Sequence, residues 1–122
     1  IVEMSRLGVA LGGRSETFGG LTGIGDLIVT CMSMHSRNRR AGILIGQGIS
    51  PKVAVEKVGT VEGYVTTQSA YRLARQMQVE MPILEQLYAV LYEEKDVLLA
   101  LRTLMGRPVR HESEDALLAL EK

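Results

Sequence analysis

The chain has 122 residues, 46% of them hydrophobic, and its 14 basic side chains are balanced by 14 acidic ones. That length suits one domain burying roughly two-thirds of its unfolded surface, and zero net charge argues against a nucleic-acid binder, whose affinity comes from excess Lys and Arg. No apolar run reaches the ~20 residues needed to cross a bilayer, and a lone cysteine closes no intrachain disulfide, which suits a reducing, cytoplasmic setting.

Apolar side chains recur at helical spacing almost throughout, so the expected fold is all-α. The chain opens on Ile1 rather than Met, without a signal-peptide pattern, and Ile1–Leu11 already has helical spacing, as if it continued a longer chain. Next come Gly12, Gly13, Gly19, Gly20, Gly23 and Gly25, a density that points to tight turns or close backbone approach. Leu27 to Cys31 is β-branched enough for a strand, but its flanking glycines and polar cluster favour a buried helix. Ser50-Pro51 opens a short helix that ends at Gly59 and buries Ala54, Val55 and Val58. Ala70, Leu73, Ala74 and Met77 mark another, beginning near Val65. Pro82 introduces the clearest apolar face, Ile83, Leu84, Leu87, Tyr88 and Leu91. Asp96 is the candidate N-cap of a last strong helix carrying Val97, Leu98, Leu101, Leu104 and Met105, stopped by Gly106 and Pro108. The expected organisation is a helical domain over 1–108, then a linker and terminal helix within 109–122. Met32, Met34, Met77, Met81 and Met105 are expected as core fillers.

The chemistry concentrates between residues 26 and 40. Ser36-Arg37-Asn38 at a helix start suits an oxyanion: Ser36 can cap, free N–H groups point outward, Arg37 offers a bidentate fork and Asn38 an amide donor. From spacing alone, a plain Ser36 cap with solvated arginines is the commoner arrangement. Asp26, between Gly25 and Leu27, either caps a helix or orients an acid/base group near a substrate. Cys31 and His35 are four apart, but two ligands do not make a zinc site, and no metal is expected. There is no Gly-x-Ser-x-Gly nucleophile elbow, and Gly23-Ile24-Gly25 lacks the third glycine of a dinucleotide fingerprint.

The run from Thr17 to Cys31, with Gly23-Ile24-Gly25-Asp26-Leu27 at its centre, followed by Ser36-Arg37-Asn38-Arg39 and Val61-Glu62-Gly63, resembles the C-terminal domain of bacterial-type NAD(P)-dependent glycerol-3-phosphate dehydrogenase. Val79 to Ile83 and Tyr88 to Leu91 are similar too, so the likeness covers about residues 1–108. It implies a helical substrate-binding domain of the 6-phosphogluconate-dehydrogenase C-terminal kind, normally following a Rossmann domain that this sequence does not contain. It further implies reversible reduction of dihydroxyacetone phosphate to sn-glycerol 3-phosphate with NAD or NADP, for phospholipid precursors. By motif position, Asp26 would orient the catalytic lysine and the substrate hydroxyl, with Thr30 beside it in the pocket. Ser36, Arg37 and Asn38 would bind the substrate phosphate, and Arg37, Val61 and Glu62 would touch the nicotinamide nucleotide. The family's general-acid lysine precedes the segment seen here, and Lys52, Lys57, Lys95 and Lys122 do not match it, so this chain alone is expected to be inactive.

Two assembly expectations follow. Without its Rossmann partner the domain should show an apolar patch and tend to form a homodimer. The competing function is a helical interaction module gripping an acidic partner or RNA through Arg37 to Arg40. Neutral charge and the absence of nearby stacking aromatics count against it.

Overall fold

The structure is a computed structural model that describes residues 2–14 and 36–106. Within them lie six helices and no strand: α1 (Val2–Ala10), α2 (Arg37–Gly46), α3 (Pro51–Val58), α4 (Glu62–Gln76), α5 (Pro82–Tyr92) and α6 (Val97–Met105). The all-α expectation therefore holds for this part. The Leu27 to Cys31 segment and residues 109–122 lie outside the described residues. No described helix is long and apolar enough to cross a membrane.

Local capping rules account for only some of the helix starts. Ser36 Oγ accepts the Arg39 N–H at 3.2 Å, and Asp96 accepts the Leu99 N–H at 3.1 Å, both as expected. Ser50 occupies the N-cap of α3 without a side-chain cap bond, leaving Pro51 as that helix's main start signal. Two further helices are capped from a distance. The N-cap of α5 is Met81, which has nothing to offer, and Glu3 of α1 accepts the N–H groups of Ile83 at 2.7 Å and Leu84 at 3.0 Å. A carboxylate at a helix N-terminus gains from both hydrogen bonds and the helix dipole, about 1–2 kcal/mol in all. Likewise α4 has Val61 at its N-cap with no side-chain bond, and Asn38 of α2 takes the Gly63 N–H. That remote cap lets α4 start at Glu62, three residues before the expected Val65.

The centre of the packing is α5, which contacts α1, α3, α4 and α6, while α2 packs on α3 and α4. The core is lined by small side chains: Ala41 of α2, Ala54 of α3, Ala74 of α4 and Ala100 of α6 are all buried, together with Val61, Met81 and Val90. Alanine at a crossing point lets helix axes approach at the short end of their usual separation. Of the residues expected to be buried in α3, Ala54 is fully so, while Val55 and Val58 are half-buried. The backbone between α3 and α4 turns at Gly59, whose φ of 99° belongs to the left-handed region open to glycine.

The large apolar residues behave differently from expectation. Ile83 and Leu87 of α5, and Leu98, Leu101 and Met105 of α6, remain exposed, Met105 at 79%. Met77 is also exposed, so among the described methionines expected in the core only Met81 fills that role. Helical periodicity identified an apolar stripe correctly but could not say whether another element covers it. These exposed apolar side chains lie on α5 and α6, and Met4 and Leu11 are exposed at the α1 end.

All four tyrosines of the chain form one ladder between α4 and α5. Tyr71 stacks on Tyr88 at 3.8 Å between ring centroids, Tyr88 on Tyr92 at 5.2 Å, and Tyr92 on Tyr64 at 4.7 Å. Arg75 closes one end, its guanidinium 5.5 Å from the Tyr71 ring centre and donating to the Tyr71 hydroxyl at 2.8 Å. At the other end the Tyr92 hydroxyl donates to the Tyr64 carbonyl. Partial burial, then the neighbouring Tyr64 and Tyr88, push the Tyr92 phenol above its ordinary value of 10.0. The neutral phenol is thus favoured by folding. That contribution is complete below the unfolded-state pKa and is lost as pH rises through the raised folded-state value. Urea unfolding should accordingly show stability falling as pH rises past the ordinary phenol value of 10.0, and Tyr92→Phe should flatten that fall. The variant should also lose about 1 kcal/mol at neutral pH with the bond to Tyr64. An equally steep alkaline decline in both proteins would contradict the assignment.

Candidate active site

The first turn of α2 is unusual for a helix start. It has no acidic residue and instead carries Arg37, Arg39 and Arg40, like charge at the positive end of the helix dipole. Each such cation is unfavourable by a few tenths of a kcal/mol, and an anion at the same place would reverse the sign. Ser36 is half-buried, whereas Arg37 and Asn38 are exposed. The Ser36 Oγ is used as a cap acceptor, which leaves its hydroxyl hydrogen as a donor. The plain cap and the anion cradle are therefore compatible in one geometry.

The second helix start comes to the same place. The Gly63 N–H donates to Asn38 Oδ1 at 2.9 Å, across 25 residues of sequence. This bond brings Ser36-Arg37-Asn38 beside Val61-Glu62-Gly63, two groups that the sequence reading could not connect by spacing. Asn38 Nδ2 and the Arg37 guanidinium have no hydrogen-bond partner among the described residues. Val61 is 7% exposed, so its backbone rather than its side chain is what it can offer a ligand, while Glu62 is exposed. One turn on, the buried Thr67 donates its hydroxyl to the Gly63 carbonyl at 2.6 Å, holding that glycine from its other side. Asp26, Thr30, Cys31 and His35 lie outside the described residues.

Sequence reading did not assign roles to Gly63 or Thr67. The available signal was a glycine in the first turn of a helix, where it has no propensity advantage and therefore suggests close approach. Among the described residues, no cluster of three or more His, Cys, Asp or Glu could hold a metal. An open groove of about 410 Å³ separates the start of α3 from the end of α5 and is lined by Ser50, Lys52, Tyr64, Tyr92, Glu93 and Glu94. It does not include the Ser36 to Asn38 turn, and its paired glutamates disfavour an anionic guest.

Among the described residues, then, an arginine-bearing helix start is joined to a second helix start within an all-helical arrangement. The chain belongs to the family of the NAD-dependent glycerol-3-phosphate dehydrogenase C-terminus, whose family model matches residues 1–102. Among curated relatives, it is 56% identical over 115 residues to the NAD(P)+ glycerol-3-phosphate dehydrogenase of Moorella thermoacetica, covering 93% of this chain and 34% of that protein. The corresponding dehydrogenase of Shouchella clausii is 50% identical over 115 residues, with the same two coverages. The chain thus spans about one third of the length of these relatives. Among solved structures, glycerol-3-phosphate dehydrogenase from Coxiella burnetii matches with a TM-score of 0.79 and 40% identity, over 86% of this chain and 33% of that one.

Proposed function

We propose that the chain supplies the substrate-binding part of an NAD(P)-dependent glycerol-3-phosphate dehydrogenase, which interconverts dihydroxyacetone phosphate and sn-glycerol 3-phosphate. The observation that carries this reading is the Asn38–Gly63 bond, because it unites the turn suited to a phosphate with the turn suited to a nucleotide. Arg37 grips the substrate phosphate with a charged fork, Asn38 Nδ2 and the Ser36 hydroxyl donate to it, and the free N–H groups of the α2 start add to the field. Holding the remote phosphate fixes the carbonyl end of a three-carbon substrate, and such orientation supplies several kcal/mol of barrier reduction.

The residues at the second helix start fit a nicotinamide nucleotide. The exposed Glu62 carboxylate accepts from a carboxamide or ribose hydroxyl, the Val61 backbone lines the approach, and Arg37 can share its charge with the nucleotide phosphates. When bound, NAD(P)H supplies the hydride. Asp26 orients the cationic proton donor and the substrate hydroxyl, with Thr30 as its neighbour. That donor lysine lies in the segment preceding Ile1, and the rest of the nucleotide site belongs to a Rossmann portion, which also covers the exposed α1 end bearing Met4 and Leu11. A cytoplasmic location and a homodimer go with this reading.

The test is steady-state turnover of the assembled dehydrogenase, this chain joined to its Rossmann portion, on dihydroxyacetone phosphate and on dihydroxyacetone. The proposed anchor predicts kcat/KM at least about 100-fold higher for the phosphorylated ketone. Equal values would contradict it. The Arg37 to Arg40 cluster binding RNA is not favoured, because Asn38 is committed to α4 and no described aromatic side chain is recorded stacking on this cluster.

A further inference from the structure

We propose that Gly63 is a positioning residue for the substrate phosphate: its N–H and its lack of a side chain together fix the Asn38 amide with Nδ2 turned to the anion. The inference rests on the phosphate-anchor reading above and adds a residue that itself touches neither substrate nor cofactor.

Two features of the geometry support it. A primary amide has two ends of nearly equal shape and opposite hydrogen-bonding character, so a neighbour must choose between them. The Gly63 N–H makes that choice, since only Oδ1 can accept its bond at 2.9 Å. Both Nδ2 hydrogens are then left for an acceptor, and a phosphate meets donors rather than a repelling carbonyl oxygen. The second feature is steric. A Cβ at position 63 would lie 2.9 Å from both Asn38 Cγ and Oδ1, closer than real Cβ atoms approach, and a tight 3.1 Å from Nδ2. Any side chain there must push the amide away.

Gly63 cannot easily yield instead. Its carbonyl takes the buried Thr67 hydroxyl at 2.6 Å, and the preceding turn is pinned by the buried Val61. On the other side, Asn38 sits in the Ser36-capped first turn of α2, whose Ala41 is also buried. Gly63 is not in the left-handed region, so glycine is required here for space and not for backbone conformation.

The test is steady-state kinetics of the assembled dehydrogenase on dihydroxyacetone phosphate and on unphosphorylated dihydroxyacetone. Gly63→Ala is expected to raise KM for the phosphate ester about 10-fold or more, with kcat, and activity on dihydroxyacetone, changed less than about 3-fold. Asn38→Ala should raise that KM by a similar factor, and adding Gly63→Ala to it should cost less than about 2-fold more, because the group it displaces is gone. Asn38→Asp keeps the shape and the Gly63 contact, removes both donors and adds a negative charge, so KM for the phosphate ester alone should rise if this side chain faces the phosphate, even if Gly63→Ala folds poorly. Full additivity of the pair, an equal loss on both substrates, or an unchanged KM in Asn38→Asp would overturn the proposal. Should Arg37→Ala also leave KM for the phosphate ester unchanged, the anchor reading itself fails. If Arg37→Ala raises it while Gly63→Ala does not, the anchor stands and the positioning role falls.

Discussion

Replacing Arg37 with Ala in the assembled dehydrogenase is expected to raise KM for dihydroxyacetone phosphate by about 100-fold or more. The guanidinium is exposed at the start of α2 and has no hydrogen-bond partner among the described residues, so its removal breaks no recorded contact of the fold. What is lost is a bidentate, charge-assisted pair with the phosphate, each bond of which is worth about 1.5–3 kcal/mol. Arg37→Lys keeps the charge without the planar fork and should recover only part of the affinity. The thermal midpoint should barely move, or rise slightly, since one like charge leaves the positive end of the α2 dipole. With NAD(P)H saturating, so that any contact of Arg37 with the nucleotide is masked, activity on dihydroxyacetone should fall far less, by under about 5-fold, because that substrate has no phosphate to hold. An equal fall on both ketones would assign Arg37 to something other than the phosphate.

Asp26→Asn should give the opposite kinetic signature. In the proposed mechanism its carboxylate keeps a cationic lysine and the substrate hydroxyl in line for proton transfer. The neutral amide retains the size but neither the charge nor two equivalent acceptors. A positioned acid/base pair typically contributes 10²–10⁴-fold, so kcat should fall by about two orders of magnitude or more, with KM for dihydroxyacetone phosphate changed less than about 10-fold. The pH profile of residual turnover should shift as well, because the proton donor loses the negative partner that holds it protonated. A variant with normal kcat and raised KM would make Asp26 a binding group or a simple helix cap.

These contrasting signatures depend on how two separate helix starts are brought together, which is where sequence reading succeeded and failed most clearly. Starts that carry their own cap were legible: Ser36 and Asp96 both cap as their residue types predict. Starts capped by another helix were not. Val61 and Met81 are poor N-caps by any local rule, and the groups that replace them, Asn38 and Glu3, lie 25 and 80 or more residues away in sequence from the N–H groups they accept. The Asn38 connection also joins the two turns proposed for phosphate and nucleotide, a relation that was invisible until α2 and α4 were seen packed. The core was misjudged for a related reason. Leu98, Leu101 and Met105 form a proper apolar stripe yet remain exposed, whereas single alanines on α2, α3, α4 and α6 are buried. Periodicity locates a face, but what covers it is a tertiary fact. The tyrosines gave a faint signal that was overlooked: Tyr64 and Tyr71 are seven apart and Tyr88 and Tyr92 four apart, each pair on one side of its helix.

The central claim is that the α2 start is a phosphate anchor whose Asn38 amide is set by the α4 start. A crystal structure of the assembled dehydrogenase with NAD+ and sn-glycerol 3-phosphate tests it most directly. The expected density places the phosphate within hydrogen-bond reach of the Arg37 guanidinium, Asn38 Nδ2 and the Ser36 hydroxyl, with the Gly63 N–H still donating to Asn38 Oδ1. A phosphate bound elsewhere, or an Asn38 amide released from Gly63 on binding, would contradict the account.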